Sequence, residues 1–282
     1  MSLLTRDRWL EAHSYLQGVA SFCDQVEGAA AGLDAVASPA MPSWDDYSGD
    51  FREGVPLLRS ANAAPELEPA GEMVASLVAT LASRHLEGPL EVDAAALDAD
   101  LRREGHAGRR IVDWLLGDES YAPSSPGLLR YLGWTVVRRY LSPVAEAFDR
   151  WRDDERWLRR YCPMCGSPPA MAQLVGADPG RRRLLSCGCC GTRWQYKRTG
   201  CPFCEEDSQK LAALTVEGEG GLRIDHCESC GGYLKTYDGQ GNETLLLSDW
   251  TSLHLDLIAR DRGLKRMAAS LYELEPAPVP SS

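Results

Sequence analysis

Four Cys-x-x-Cys pairs stand close together in this 282-residue chain, at Cys162/Cys165, Cys187/Cys190, Cys201/Cys204 and Cys227/Cys230. Twenty-one residues separate the first pair from the second, 22 the third from the fourth, and only ten the second from the third. A shift of 39 or 40 residues lays one half on the other: CPMC (162–165) meets CPFC (201–204), and CGCCG (187–191) meets CESCG (227–231). Between the pairs Gly180 meets Gly220, Arg183 meets Arg223 and Leu184 meets Ile224. This is a tandem duplication, so the segment consists of two equivalent units, each long enough for one β-hairpin between two knuckles.

The spacing carries the chemistry. Two cysteines with two residues between them curl around one metal ion, and two such knuckles facing each other give a tetrahedral S4 set suited to zinc or to a single rubredoxin-like iron. Pro163 and Pro202 fix the backbone of their knuckles, and Gly166, Gly191 and Gly231 supply the left-handed residue that follows the second ligand. Glu205 stands where the third knuckle expects glycine. The repeat favours pairing the first knuckle with the second and the third with the fourth over a crossed arrangement. The candidate metal ligands are therefore Cys162, Cys165, Cys187 and Cys190 in one set and Cys201, Cys204, Cys227 and Cys230 in the other, for two metal ions per chain, iron or zinc. In the bland reading the metals only hold the fold, since each structural zinc contributes roughly 10–16 kcal/mol and such hairpins have little core. Cys189, inside the CGCC knuckle, reads as a spare thiol, and Cys23 as a small buried hydrophobe.

Ten cysteines are too few for a secreted disulfide scaffold. The opening MSLLTRDRWLEAHSYL lacks the apolar core of a signal peptide, and no apolar run reaches the length of a membrane helix. The expectation is a reducing cytoplasm, where thiols serve as ligands, with no membrane insertion. Residues 159–240 hold eleven Lys/Arg against nine Asp/Glu, a formal +2, which leaves −13 for the rest of a chain whose net charge is −11. That balance argues against nucleic acid as a partner.

Around the cysteines the pattern is helical, giving an α+β class with a mainly helical N-terminal domain (1–158), two rubredoxin- or zinc-ribbon-like β-hairpin modules (159–198 and 199–240), and a C-terminal helix and tail (241–282). Trp9, Ala12, His13, Leu16, Ala20 and Cys23 share one helical face. A loop is expected through Pro39, Pro42, Gly49, Gly54 and Pro56. A second helix follows on Met73, Leu77, Leu81 and Leu86, ending at Gly88-Pro89, and a short one on Ile111, Leu115 and Leu116. Leu128, Leu129, Leu132, Val136 and Tyr140 form a further face that runs past Pro143 to Trp157 with a kink or break. The hairpins are expected around GADPG, flanked by Ala172–Leu174 and Leu184, and around EGEGG, flanked by Leu211, Leu214, Leu222 and Ile224. Helix returns from Asp249 to about Leu274, before a frayed tail with Pro276, Pro278 and Pro280. His13, His85 and His106 read as surface or satisfied core histidines, and His254 has no partner visible in the sequence.

CPMCGSP (162–168), SCGCCGTRW (186–194), Arg198-x-x-CPFC and CESCGGYLKT (227–236), with Trp194 and the Tyr233-Leu234-Lys235 triplet, resemble the formate dehydrogenase accessory protein FdhE family. The resemblance covers the cysteine segment, with the C-terminal helix in support. It implies a cytoplasmic maturation factor that is not itself an enzyme and that associates with the formate dehydrogenase catalytic subunit, with cysteine pairs linked to rubredoxin-like iron binding and redox sensitivity. Two other readings compete. A zinc-ribbon nucleic-acid binder would use Arg181, Arg182, Arg183, Arg193, Lys197 and Arg198 with Trp194 and Tyr196 as stacking platforms. A redox carrier or sensor would use FeS4 centres. No catalytic residue is assigned: Asp225-His226-Cys227 resembles an acid-base-thiol trio, but strand neighbours point to opposite faces.

Overall fold

The computed structural model describes residues 4–33, 39–84, 89–103, 105–177, 180–206 and 208–272. In chain order these form helices α1 (Arg6–Ala12), α2 (Gln17–Ala31), α3 (Trp44–Glu53), α4 (Glu68–Ala82), α5 (Pro89–Arg103), α6 (Ala107–Leu115), α7 (Pro126–Tyr140), α8 (Ser142–Trp151) and α9 (Asp154–Trp157). Strands β1 (Pro169–Val175), β2 (Arg182–Cys187), β3 (Arg193–Tyr196), β4 (Leu211–Thr215), β5 (Leu222–Cys227) and β6 (Gly232–Asp238) follow, then α10 (Glu243–Leu246), α11 (Leu253–Asp261) and the short β7 (Lys265–Arg266). The α+β class, with helices first, a duplicated ribbon segment and a C-terminal helix, is as the sequence indicates. No helix among the described residues is long and apolar enough to cross a membrane.

The chain forms two compact units. One takes Met1–Ala20, Ser43–Ala64 and Trp151–Ser270, and the other Ser21–Pro42, Pro65–Arg150 and Leu271–Ser282. In the second unit α4 packs on α5, α6 and α7. Gly71 lies so close to Gly108 that a Cβ at Gly71 would stand 2.0 Å from the Gly108 carbonyl oxygen, so α4 and α6 meet backbone to backbone. Leu77, Val78, Leu97, Ile111, Leu129 and Leu132 fill this core without exposure.

The first unit is built on one sheet in the order β3-β2-β1-β6-β5-β4, with β7 beside β6. Each repeat contributes an antiparallel three-strand meander, and the two join where β1 runs parallel to β6. That junction was not visible in the repeat. It makes β1 and β6 central and buried on both faces, so neither PAMAQLV nor GYLKTYD shows clean alternation. One face carries Trp9, Leu16, Met171, Ile224, Tyr237 and Leu255 in a shared core.

Several helices differ from the sequence expectations. The first amphipathic face is correct, yet the helix breaks at His13 (φ −127°, ψ 56°) and resumes as α2, and Ala12 is exposed. The expected loop over 39–56 contains α3, capped by Ser43, carrying Asp45 and Asp46 in its first turn and closed by left-handed Gly54 (φ 85°). Gly49 is simply tolerated inside it. The acidic stretch Pro89–Arg103 is a full helix, α5, that the sequence reading passed over. The break before Pro143 occurs, with α7 ending at Tyr140 and α8 starting at Ser142. The C-terminal helix is much shorter than expected, because Gly263 (φ 73°) stops α11 and the chain turns into β7. His85, Leu86, Leu274 and the proline tail lie outside the described residues.

Candidate metal centres

Three of the four knuckles are tight backbone turns closed by the same bond. The Gly166 amide donates to the Cys162 carbonyl at 2.9 Å, Glu205 to Cys201 at 3.0 Å and Gly231 to Cys227 at 2.8 Å. The residue after the second cysteine is left-handed throughout: Gly166 at φ 82°, Gly191 at 80°, Gly231 at 70° and Glu205 at 64°. Glu205 thus keeps the turn at the cost of a conformation that favours glycine.

These turns gather the thiols in the sequential pairing. Cys162, Cys165, Cys187 and Cys190 form one group and Cys201, Cys204, Cys227 and Cys230 the other, with the sulfurs of each within 4.8 Å of one another. Across the first group Cys162 to Cys190 is 3.4 Å and Cys165 to Cys187 is 3.5 Å; across the second, Cys201 to Cys230 is 3.8 Å and Cys204 to Cys227 is 3.7 Å. Tetrahedral thiolates on one ion at about 2.3 Å lie about 3.8 Å apart, so both groups have the dimensions of an S4 site. None of the ten cysteines is in a disulfide. Two metal ions can be held.

The thiols of each group are held in unlike electrostatic states. Burial pushes Cys162 and Cys187 well above the usual thiol range, whereas hydrogen bonds from Cys162, Cys187 and Cys190 hold Cys165 well below it. In the second group burial pushes Cys201 up to about 12. For Cys227 burial is outweighed by the backbone N–H groups of Cys230 and Ser229, so its thiol lies below the usual value. Without a cation such sets keep some protons; a divalent ion replaces them and makes all four thiolates.

The two groups differ in cover. All four cysteines of the first are buried, while Cys204 is exposed and Cys230 half-buried. The segment from α3 onward explains the difference. The Leu57 and Leu58 amides donate to the Pro163 and Met164 carbonyls at 2.9 and 2.8 Å, and the Tyr161 hydroxyl donates to the Gly54 carbonyl at 2.8 Å. Beside this clamp Phe51 stacks on Trp157 and meets Trp151 edge-on. The second group sits instead beside the partly exposed edge strand β4. Cys189 is buried and outside the four-thiol group. Cys23 is buried among the helices of the other unit.

The Tyr233-Leu234-Lys235 triplet proves to be an anchor. Lys235, with no exposure, contacts Asp249 at 2.7 Å and Asp256 at 2.8 Å, and Arg266 reaches the same two carboxylates at 2.8 Å each. The Tyr233 hydroxyl donates to Asp256 at 2.7 Å. Burial would raise the Asp249 carboxyl, but Lys235 and Arg266 outweigh it and bring it to about 2. Strand β6 is thereby locked to the turn before α11, through Asp249, and to α11 itself, through Asp256.

The stacking residues of the nucleic-acid reading are inside the protein. Trp194 has no exposure and donates its ring N–H to the Arg159 carbonyl at 2.9 Å; Tyr196 is buried beneath Arg183. Arg183 itself is buried and donates to the Lys197 carbonyl, and Arg181 pairs with Asp238. Asp225 is taken by Arg223 at 2.8 Å. Sequence reasoning missed one convergence altogether: His13, Glu219 and His254 come together. His106 is exposed at the start of α6. Burial pushes the Glu219 carboxyl up, yet His254 and His13 outweigh it and hold it below its ordinary value.

Residues 161–198 match the family model described as FdhE, central domain. Among curated relatives, a protein FdhE homolog of Pseudomonas aeruginosa is 38% identical over 123 residues, 40% of this chain and 39% of that one. The resemblance to the FdhE family holds. A homolog from Stutzerimonas stutzeri is 33% identical over 195 residues, 63% of this chain and 58% of its own. Protein FdhE of Escherichia coli is 33% identical over 144 residues, 49% of this chain and 46% of that protein. The matched stretches thus span about half the length of these relatives. The crystal structure of the FdhE protein from Pseudomonas aeruginosa covers 98% of both chains with a TM-score of 0.61 at 22% identity, which shows a shared fold.

Proposed function

We propose that this chain is a cytoplasmic accessory factor required for active formate dehydrogenase, binding its catalytic subunit through a scaffold held by two S4 metal sites. The observation that carries the reading is the pair of four-thiol groups, the first lying inside the segment that matches the FdhE central domain. Modules 159–198 and 199–240 would each hold one iron or zinc, through Cys162, Cys165, Cys187 and Cys190 and through Cys201, Cys204, Cys227 and Cys230. The metals hold short hairpins in one sheet and keep the thiols ionised; no residue is assigned a catalytic role. The less covered second site is the one suited to sense redox state, since Cys204 faces solvent. Burial of Trp194 and Tyr196 favours this reading over nucleic-acid binding.

The test is genetic and enzymatic. Deleting the gene in the native host should abolish formate-dependent dye reduction while the dehydrogenase subunits remain present, and the wild-type gene should restore it. Full activity in the deletion strain would reject the reading.

A further inference from the structure

At the tip of the second hairpin lies a third convergence of metal-ligand types, unrelated to the cysteines. Glu219 sits in the turn between β4 and β5 among Gly218, Gly220 and Gly221, at φ 87°, 60° and 94°. These left-handed residues curl the turn so that the carboxylate folds inward, and Glu219 is 8% exposed. His13, at the break between α1 and α2, and His254, in the first turn of α11, meet it there. His254 Nε2 lies 2.7 Å from Glu219 Oε2, and His13 Nε2 lies 3.3 and 3.4 Å from its two oxygens. The imidazole rings are 5.1 Å apart, and the Tyr15 ring stands edge-on to both.

A proton inventory shows what the cluster lacks. His13 Nδ1 lies 2.9 Å from the Trp9 carbonyl oxygen, which can only accept, so Nδ1 carries the proton. A neutral His13 then turns the lone pair of Nε2 on two carboxylate oxygens that also present lone pairs. A cation must stand between them, either a second proton on His13 or a metal ion. Contacts of 3.3 and 3.4 Å are long for an imidazolium–carboxylate bond, which closes to about 2.7–2.9 Å. They are ordinary between two ligands of one ion: with bonds of about 2.0–2.1 Å, tetrahedral neighbours lie about 3.3–3.4 Å apart. The 2.7 Å contact of His254 Nε2 with Glu219 Oε2 is a direct hydrogen bond, so these two atoms must part by about 0.6 Å to share an ion, whereas the His13 side already has the ligand spacing. The His13 bond to the Trp9 carbonyl is the outer contact that metal-ligating imidazoles make.

We propose that His13 Nε2, the Glu219 carboxylate and His254 Nε2 hold a divalent transition-metal ion, a third metal site of a different ligand type from the two sulfur sites. Two neutral imidazoles and one carboxylate leave the ion at +1 with room for a further oxygen or nitrogen ligand. The site is not part of the duplication, because Pro179 occupies the position in the first repeat that corresponds to Glu219. It ties three separated stretches of chain, at 13, 219 and 254, to one point.

The test titrates reduced, metal-free full-length protein with Co2+ without oxygen. Thiolate-to-cobalt absorption should saturate at two equivalents, while metal retained after desalting reaches three per chain. Glu219→Gln and His254→Gln should each retain two with the thiolate bands unchanged. Ring resonances of His13 and His254 in the unsubstituted protein should shift on adding Zn2+ beyond two equivalents, a reading that needs no variant to fold. Two equivalents in the wild type at saturation, with unmoved histidine resonances, would overturn the proposal and leave a hydrogen-bonded imidazolium cluster. Retention of three in both variants would overturn it equally.

Discussion

Replacing Lys235 by methionine tests how firmly the ribbon sheet depends on α11. The methionine keeps most of the apolar stem and removes the ammonium. Two cations and two carboxylates balance in the native cluster, with every ion-pair contact at 2.7 or 2.8 Å. The ammonium also donates to the carbonyls of Asp249 and Ser252 at 3.1 and 3.3 Å. Lys235→Met leaves two largely buried carboxylates facing the single Arg266 guanidinium. Removing one partner of a buried pair costs about 3–5 kcal/mol. With a urea dependence of about 2 kcal/mol per molar, the unfolding midpoint of the metal-loaded protein should fall by about 1.5–2.5 M. Asp256→Asn added to Lys235→Met restores the balance and still accepts from Tyr233, so the double variant should be more stable than Lys235→Met alone. The coupling expected for such neighbours is about 1–3 kcal/mol. Urea titration by circular dichroism gives the totals, and amide exchange across α11 shows where protection is lost. A loss below about 1 kcal/mol for Lys235→Met, or strict additivity in the double variant, would refute the anchoring argument.

Asp249 titrates at about 2 in the folded protein against an ordinary 3.8. A depressed carboxyl stabilises fully above about pH 4 and loses that contribution as pH falls toward 2. About 2 kcal/mol should disappear over that window in acid unfolding, and much less in Lys235→Met. Cys165→Ser and Cys204→Ser should each lower sulfur-bound metal by about one equivalent, measured by metal analysis; loss of neither metal from a single variant would undo the ligand assignment. A chelator should strip the second site faster than the first, because Cys204 is exposed while all four cysteines of the first group are buried. Glu205→Gly should retain both metals and gain about 1 kcal/mol on thermal unfolding, since the left-handed residue no longer carries a side chain and its 3.9 Å contact with Arg160 is on the surface.

The eight clustered thiols were legible because such knuckles leave a local signature: two cysteines three positions apart with a left-handed residue after, and in two of the four a proline inside. The duplication added the pairing. The helices Trp44–Glu53 and Pro89–Arg103 were less legible, the first because Gly49 and flanking prolines imitate a loop, the second because acidic residues dilute its apolar face. The parallel junction of β1 with β6 leaves no trace in a repeat comparison, since it joins the start of one copy to the end of the other. The same holds for Glu219 with His13 and His254, which are brought together only by packing. The turn EGEGG hints at it only through glycines that need positive φ around one carboxylate.

The most direct measurement of the central claim is capture from the native host grown under conditions that express formate dehydrogenase. Tagged wild-type chain, purified without oxygen and with both sulfur sites loaded, should retain the dehydrogenase catalytic subunit, and Cys165→Ser should retain markedly less. A wild-type chain that recovers no dehydrogenase subunit from a strain with active enzyme would contradict the account.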